Sequence, residues 1–254
     1  MAKRIQFDTP EAKQFTKVFT QLCRRHSAWD IWSDYITLTA CSISVMVDHD
    51  PKRFNERGQL LQEIADKYQD DEIGHFDAMN EIMMGSMTRN PKQDFLGRLY
   101  MALDFGAAWH GQYFTPWIVA CMIAKMSLAG KIEEMDRKPY LSVCDNACGS
   151  GCLLIASAAA YIDMAKENGR YDRDLLFVAQ DLDPVVAKMC YIQLSLLGCA
   201  GYVAVGDSLT NDISGPKLFP SIGEGGELWF TPMWFTPVWQ GRRELERLKA
   251  QSCY

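Results

Sequence analysis

Apolar side chains recur every three or four residues through the first part of the chain, which is the spacing of an amphipathic helix. Up to residue 105 these segments are separated by turn residues and prolines, without the alternation typical of strands. The first begins at Thr9-Pro10, because proline suits the first position of a helix, and the last follows the break at Asn90-Pro91. The pattern predicts about five helices that form a helical bundle or cap domain over residues 1–108.

From residue 109 onward, short apolar runs alternate with helical segments of ten or more residues. Three runs have the length of buried strands and occupy residues 141–144, 175–180 and 202–205. Strands that alternate with helices favour a doubly wound parallel sheet. We therefore expect a second, α/β domain over residues 109–254.

An aspartate follows each predicted strand, namely Asp145, Asp181 and Asp207. The carboxyl ends of parallel strands share one edge of the sheet, where ligands bind in such folds, so three carboxylates are expected there. After the first strand, glycines at 149 and 151 allow the backbone to approach a ligand closely. The helix that follows begins with unpaired amides. Residues 140–152 are therefore predicted to form a ligand cradle.

Composition narrows the class of protein. A hydrophobic content of 48% indicates a folded globular chain, and a net charge of -6 does not favour an autonomous nucleic-acid binder. The nine cysteines are odd in number and lie mostly in apolar segments, the N-terminus is polar, and no apolar run has the length of a membrane span. We expect a cytoplasmic protein with reduced cysteines and no contact with membranes.

Four short motifs occur in a fixed order, at residues 111–116 (GQYFTP), 145–151 (DNACGSG), 180–184 (QDLDP) and 206–209 (GDSL). Together they resemble the cofactor-binding half of adenine-N6 DNA methyltransferases, especially the modification subunit of type I restriction-modification systems. The resemblance covers residues 90–235. It implies an α/β fold with an incomplete Rossmann-like methyltransferase sheet behind an all-helical N-terminal domain. It also implies S-adenosylmethionine as the cofactor and adenine in DNA as the substrate.

The resemblance further implies how the methionine end of the cofactor is held. Tyr113 and Thr115 would lie over the methionine part, with Thr115 at a helix N-cap where it offers its hydroxyl and amide to the carboxylate. Asp145 would receive the ammonium group. The loop that passes the sulfonium would consist of Ala147, Gly149, Ser150 and Gly151.

At the adenosine end, the resemblance assigns two carboxylates and two apolar side chains. Asp181 would accept hydrogen bonds from both ribose hydroxyls, and Asp207 would accept one from the adenine amino group. Leu182 would pack on the adenine ring, and Leu209 would form a further apolar wall.

The family also has a catalytic tetrapeptide, Asn or Asp followed by Pro-Pro-Tyr or Pro-Pro-Phe, at the end of the fourth strand. It orients the amino group of the target base, and its aromatic ring stacks on the flipped base. This sequence lacks that tetrapeptide, and residues 231–234 (TPMW) stand at the corresponding distance. Thr231, Pro232 and Trp234 are the resulting candidates for catalysis.

Three functions remain open. The first is an active adenine-N6 methyltransferase that works with a specificity subunit or as a homo-oligomer. The second is a catalytically defective cofactor-binding or assembly protein of the same descent, and the third is a methyltransferase for RNA or a small molecule. Four aromatic residues suit an oligomer interface or a core equally well, namely Trp229, Trp234, Phe235 and Trp239.

Two patterns raise the question of a metal, and neither predicts one. Cysteines at 144, 148 and 152 have the spacing CxxxCxxxC, which differs from the CxxxCxxC of radical S-adenosylmethionine enzymes. Glu72 and His75 form half of a di-iron motif, but the sequence has no second Glu-x-x-His. We expect no metal site.

Overall fold

The computed structural model describes residues 9–105, 114–131, 134, 138–167 and 174–252. The first part is helical, as predicted, and consists of α1 (Pro10–Leu22), α2 (Ala28–Val45), α3 (Pro51–Ala65), α4 (Asp70–Arg89) and α5 (Phe95–Ala102). Helix α1 begins with proline, and the side chain of Thr9 accepts a hydrogen bond from the amide of Ala12. Asp50 caps α3 in the same way.

The second part is mixed. It contains α6 (Trp117–Leu128), β1 (Leu141–Asp145), α7 (Cys152–Glu167), β2 (Leu175–Asp181), α8 (Pro184–Leu196), β3 (Ala200–Val205), β4 (Glu227–Phe230), a 3-10 helix (Pro232–Phe235) and α9 (Pro237–Ser252). The three strands predicted from apolar runs are confirmed as β1, β2 and β3. Among the helices of the described ranges, none combines the length and the apolar character that a bilayer span requires.

The sheet has the order β1-β2-β3-β4, and its first three strands are parallel. The crossovers through α7 and α8 advance in one direction, so their common handedness places both helices on one face. The 3-10 helix and α9 cover the other face, where Trp234 and Trp239 pack with Leu176 and Val178 of β2. Helices therefore cover both faces of a mainly parallel sheet, in which the described strands follow one another in a single direction.

Strand β4 departs from expectation in direction, because it runs antiparallel to β3. The register pairs Tyr202 with Phe230 and Val205 with Glu227. The carboxyl end of β4 consequently lies at the amino end of β3. A segment that follows β4 therefore lies near the amino ends of the parallel strands, whereas the three aspartates follow their carboxyl ends.

One hydrophobic cluster links the helical half to the sheet. It includes Phe15, Trp32 and Tyr100 from the helices before the sheet, together with Ile155 and Ile192 from the crossover helices. Helix α2 packs directly on α8. The predicted domain boundary, between residues 108 and 109, lies outside the described residues.

The aromatic residues that suited either an interface or a core are mostly internal. Trp229, Trp234 and Trp239 are buried, and only Phe235 is partly exposed. Trp229 and Trp234 each lie beneath an arginine, Arg57 and Arg243 respectively. These tryptophans therefore belong to the core of the described chain.

The outer edge of β4 is covered by α3. The Arg57 guanidinium donates to the carbonyl of Leu228 at 2.6 Å and to Asp48 at 3.0 Å. Arg53 donates to the same aspartate at 2.6 Å. Burial alone would raise the pKa of Asp48, but the two guanidinium groups hold it below its ordinary value.

Candidate functional site

The loop between β1 and α7 has the backbone that the cradle requires. Gly149 and Gly151 have φ angles of 57° and 93°, in the region that favours glycine. A Cβ atom at Gly151 would lie 2.8 Å from the sulfur of Cys190 in α8. The second glycine therefore permits close packing of the loop on α8, in addition to the turn itself.

Asp181 fixes this loop to the end of β2. Its Oδ2 accepts a hydrogen bond from the amide of Gly149 at 2.8 Å, and its Oδ1 accepts one from the amide of Asp183 at 3.0 Å. Burial raises the pKa of Asp181 above its ordinary value. Each carboxylate oxygen has a second lone pair, so the side chain retains capacity for hydroxyl donors.

Asp145 is the least satisfied polar side chain of the cradle. Its Oδ1 accepts from the amide of Ala147 at 3.2 Å, whereas its Oδ2 is buried and has no hydrogen-bond partner among the described residues. Burial, and next the charge of Asp181, raise the pKa of Asp145. Within the described chain neither carboxylate is paired with a cationic side chain. Such a site suits a cationic ligand.

The opposite end of the site combines one ionised carboxylate with two exposed apolar side chains. Leu182 directly follows β2 and is 70% exposed, and Leu209, four residues after the end of β3, is 91% exposed. Asp207 accepts from the amide of Leu209 and the hydroxyl of Thr210, both at 2.9 Å, and the first of these bonds is the main cause of its lowered pKa. Two flexible aliphatic walls beside an acceptor suit a flat, polar-edged ring.

Two of the predicted site residues, Ser150 and Thr115, are placed differently from the prediction. The hydroxyl of Ser150 is buried and donates to Asp94 at 2.6 Å, so this side chain does not face a ligand. Helix α6 is capped by Pro116 without a side-chain hydrogen bond, which corrects the prediction of Thr115 as N-cap. The carbonyl of Thr115 instead accepts from the thiol of Cys152 at 3.3 Å. Tyr113 lies outside the described residues.

Phe114 is a residue of the site that the sequence did not single out. Its ring stacks on Tyr100 with a centroid distance of 5.3 Å and an interplanar angle of 24°. A Cβ atom at Gly149 would lie 3.4 Å from the same ring. Phe114 therefore covers the cradle loop, and its place inside the GQYFTP motif was the available signal.

A second unforeseen feature is the Asp94 network, formed by Asp94, Ser150 and Gln193. Asp94 is the N-cap of α5 and accepts from the amide of Gly97 at 2.9 Å, from Ser150, and from Gln193 at 2.8 Å. The amide of Gln193 also donates to the carbonyl of Ser150 at 2.9 Å. These buried groups bind the cradle loop to α5 and α8.

Gly97 allows the Asp94 network to close. A Cβ atom there would lie 2.1 Å from Oδ2 of Asp94 and 2.3 Å from the hydroxyl of Ser150. Contacts of that length are forbidden, so any side chain at this position would separate α5 from the loop.

The predicted catalytic segment does not adjoin the cradle. Thr231 is fully buried, where its hydroxyl donates to the carbonyl of Cys199 at 2.7 Å and accepts from the amide of Gly201 at 3.0 Å. Pro232 begins the 3-10 helix, and Trp234 packs on Tyr202. Because β4 is antiparallel, this segment lies at the amino end of β3 and not, as expected, beside the carboxyl ends of the parallel strands.

The described residues contain no cluster of three or more side chains suited to a metal ion. Glu72 is instead engaged by the amide of Gln69 and by His26, and His75 contacts Gln21. Of the three cysteines at intervals of four, Cys148 and Cys152 are buried and Cys144 is exposed. Each of these patterns has a structural explanation.

A model of the family described as N-6 DNA methylase matches residues 92–222. No curated protein and no solved structure matched the chain. The match covers just over half of the 254 residues, includes all three parallel strands and their aspartates, and ends before residues 231–234. With three carboxylates at one sheet edge and a glycine cradle between two of the strands, the chain belongs to the N-6 DNA methylase family.

Proposed function

We propose that this chain binds S-adenosylmethionine at the carboxyl edge of β1, β2 and β3, as the cofactor-binding part of a Rossmann-like methyltransferase sheet. The observation that carries the proposal is the buried, unpartnered Oδ2 of Asp145. S-adenosylmethionine bears an ammonium and a sulfonium group, and a cation of this kind supplies the counter-charge that Asp145 and Asp181 otherwise lack. Family membership supports the same cofactor.

Asp145 would hold the ammonium group, and Asp181 would accept from the ribose hydroxyls while it continues to fix the loop through Gly149. Leu182 and Leu209 would enclose the adenine ring, whose amino group would donate to Asp207. Enclosure of the ring gives the exposed leucines a function, because burial of apolar surface contributes roughly 25 cal/mol per Å². When bound, S-adenosylmethionine supplies an activated methyl group.

The proposed reaction is transfer of this methyl group to the adenine amino group in DNA. The chain would act in the cytoplasm as a modification subunit of a restriction-modification system, with DNA and a specificity subunit as partners. Among the described residues of the cradle, no side chain is placed to hold the target base, and Thr231 is at the other edge. That placement favours a second candidate, a cofactor-binding or assembly protein without catalysis of its own.

Titration calorimetry with S-adenosylmethionine tests the first step. The wild-type chain should bind, and Asp181→Ala should bind at least about tenfold more weakly, because a charged acceptor is worth roughly 1.5–3 kcal/mol. Asp163→Asn is the matched control, since Asp163 is an exposed residue paired with Lys92. Absence of binding by the wild-type chain, or equal binding by Asp181→Ala, would refute the cofactor assignment.

Transfer of a tritiated methyl group to unmethylated DNA separates the two candidates. The assay should be run with the chain alone and with a type I specificity subunit. Label in N6-methyladenine would establish the enzyme. Cofactor binding without transfer in either mixture would favour the non-catalytic protein.

A further inference from the structure

Strand β1 is at one end of the sheet, and its outer side is unpaired in the described chain. The amide of Leu141 donates to the carbonyl of Asp174, on the side of β2. Backbone groups alternate in direction along a strand, so the N–H and C=O groups of Ser142 and Cys144 point away from β2. β1 therefore offers backbone donors and acceptors to a further strand.

The outward backbone groups of the two edge strands, β4 and β1, differ in their partners. At β4 the carbonyl of Leu228 is satisfied by Arg57, whose guanidinium also lies 4.1 Å from the ring of Trp229. No comparable side chain among the described residues satisfies the backbone of β1, where Lys217 contacts only the hydroxyl of Ser142. Proteins usually block such edges with charges or coverings. Among the described residues, Lys217 places one charge at this edge, and no strand pairs with it.

Helix α6 extends an apolar surface beside this open edge. It buries Ala120, Ala124 and Leu128 and leaves five large apolar side chains exposed, which we name the α6 ridge: Ile118, Val119, Met122, Ile123 and Met126. Ile118 and Met126 are 75% and 74% exposed. A ridge of this extent on one helix is typical of a surface that binds another polypeptide.

A groove of about 380 Å³ runs between α6 and β1. Its lining includes Ile123 and Leu128 of α6, Ser142 and Val143 of β1, and Leu153 of α7. One wall thus belongs to the edge strand, and the other walls are mainly aliphatic, with Ser127, Lys131 and Ser157 between the aliphatic side chains. An extended segment with aliphatic side chains would satisfy both walls at once.

The spacing of the elements limits what can fill this space. Helix α6 packs along α7, and α7 packs on β1. Packed helices lie roughly 8–10 Å apart and paired strands about 4.8 Å apart, so the separation of α6 from α7 corresponds to about two strand widths. A second copy that paired its own β1 here would bring its α6 onto the α7 of the first. That overlap disfavours a symmetric pair of β1 strands.

We propose that the open edge of β1 and the α6 ridge together bind a partner polypeptide that contributes a two-stranded β element with aliphatic side chains facing α6. The partner strand next to β1 would extend the sheet past Asp145. If it runs parallel to β1, its carboxyl end lies beside the cradle and its residues border the cofactor. This inference rests on the proposed function, because it names the partner that completes that site.

Co-expression with a defined probe tests the proposal. The probe is the carboxyl-terminal half of a complete N-6 DNA methylase, taken in parallel from several members of the family, and the readout is light scattering after size exclusion. The wild-type chain should form a one-to-one complex. Hydrogen exchange at the amides of Ser142 and Cys144 should slow on complex formation, because these groups would then be paired.

Two substitutions should abolish the complex or weaken it at least about tenfold. Met122→Glu places a charge on the α6 ridge, and Ser142→Pro removes an outward N–H without breaking a bond to β2. The matched controls are Leu245→Glu, an equivalent change at an exposed leucine of α9, and Lys217→Ala, which removes only the side-chain contact with Ser142. Both controls should bind as the wild type does.

Three results would overturn the proposal: no complex with any fragment, a complex that both Met122→Glu and Ser142→Pro leave intact, or a dimer of the chain alone that Met122→Glu dissociates. The last would assign the α6 ridge to a second copy. Calorimetry with S-adenosylmethionine on the same variants verifies their folding. It also separates the two hypotheses, because failure of the cofactor assignment appears in the chain alone, before any partner is added.

Discussion

At the residue scale, Asp145 connects the energetics of the free chain with its proposed ligand. A buried carboxylate oxygen without a partner destabilises the fold by about 1–3 kcal/mol. The raised pKa of Asp145 has the same cause, which is the burial of its charge. The free chain therefore tolerates a local defect that a bound cation would remove. Stability and affinity should respond to this residue in opposite directions.

Asp145→Asn should raise the melting temperature of the free chain and reduce its affinity for S-adenosylmethionine. Removal of the charge relieves about 1 kcal/mol, or about 2–4 °C for a chain of this size, while loss of the ion pair weakens binding at least about tenfold. Differential scanning calorimetry and titration calorimetry measure the two effects. A lower melting temperature with unchanged affinity would contradict the assigned role, and Asp163→Asn should change neither quantity.

The pH dependence of binding follows from the same raised pKa values of Asp145 and Asp181. For a carboxyl group with a raised folded pKa, the stabilisation of the free chain is complete below the ordinary pKa and is lost as pH rises through the folded value. Binding of a cation needs the ionised form, so affinity should increase over that same interval. Calorimetry across this range should show a shallower dependence in Asp145→Asn, where one of the two groups no longer titrates.

At the element scale, the cradle takes its shape from helices outside the βα unit that contains it. The Asp94 network joins the N-terminus of α5 to a loop 56 positions further along the chain and to Gln193 of α8. Phe114, stacked on Tyr100 of α5, covers the same loop. The helical half therefore supports the cradle loop and, with it, the proposed cofactor site.

Asp94→Ala should destabilise the chain by about 3–5 kcal/mol, because it removes a helix cap and leaves two buried donors without acceptors. Ser27→Ala, which removes an exposed cap from α2, should lose only about 1 kcal/mol. Urea unfolding measures both. Equal losses in the two variants would show that Asp94 acts as a cap alone.

Local patterns in the sequence were sufficient to predict the parallel strands, their aspartates and the glycine turn. They were insufficient for β4, since a strand of four residues with three apolar side chains does not encode the direction in which it pairs, and Arg57 on α3 is 171 positions from its contact at Leu228. The partners of Ser150 were hidden for the same reason. In the sequence, Asp94 has only the pattern of a helix cap. Its contact with Ser150 depends on the packing of α5 against the loop.

At the scale of the whole molecule, α3 and the sheet edge are joined by a buried charge cluster of Asp48, Arg53 and Arg57. Asp48 is 1% exposed, so its charge depends on the two guanidinium groups. Its lowered pKa gives stability that is present above the ordinary pKa of aspartate and is lost as pH falls through the folded value. This cluster should contribute to acid unfolding of the chain.

Arg57→Met should destabilise the chain by about 3 kcal/mol, because it leaves Asp48 with one cation and the carbonyl of Leu228 with none. Lys52→Met, which removes an exposed ion pair with Glu56, should change stability by less than about 1 kcal/mol. Chemical unfolding at neutral pH compares them. Comparable small losses would mean that α3 holds β4 by apolar packing alone.

Gly97 limits the substitutions that related sequences can accept around the cradle loop. Since a side chain there would collide with both Asp94 and Ser150, Gly97 cannot be exchanged while these two residues are retained in place. A larger residue at position 97 therefore requires simultaneous changes at positions 94 and 150, so the stability effects of substitutions at these three positions should be non-additive. In a collection of related sequences, residues 94, 97 and 150 should therefore vary as a unit.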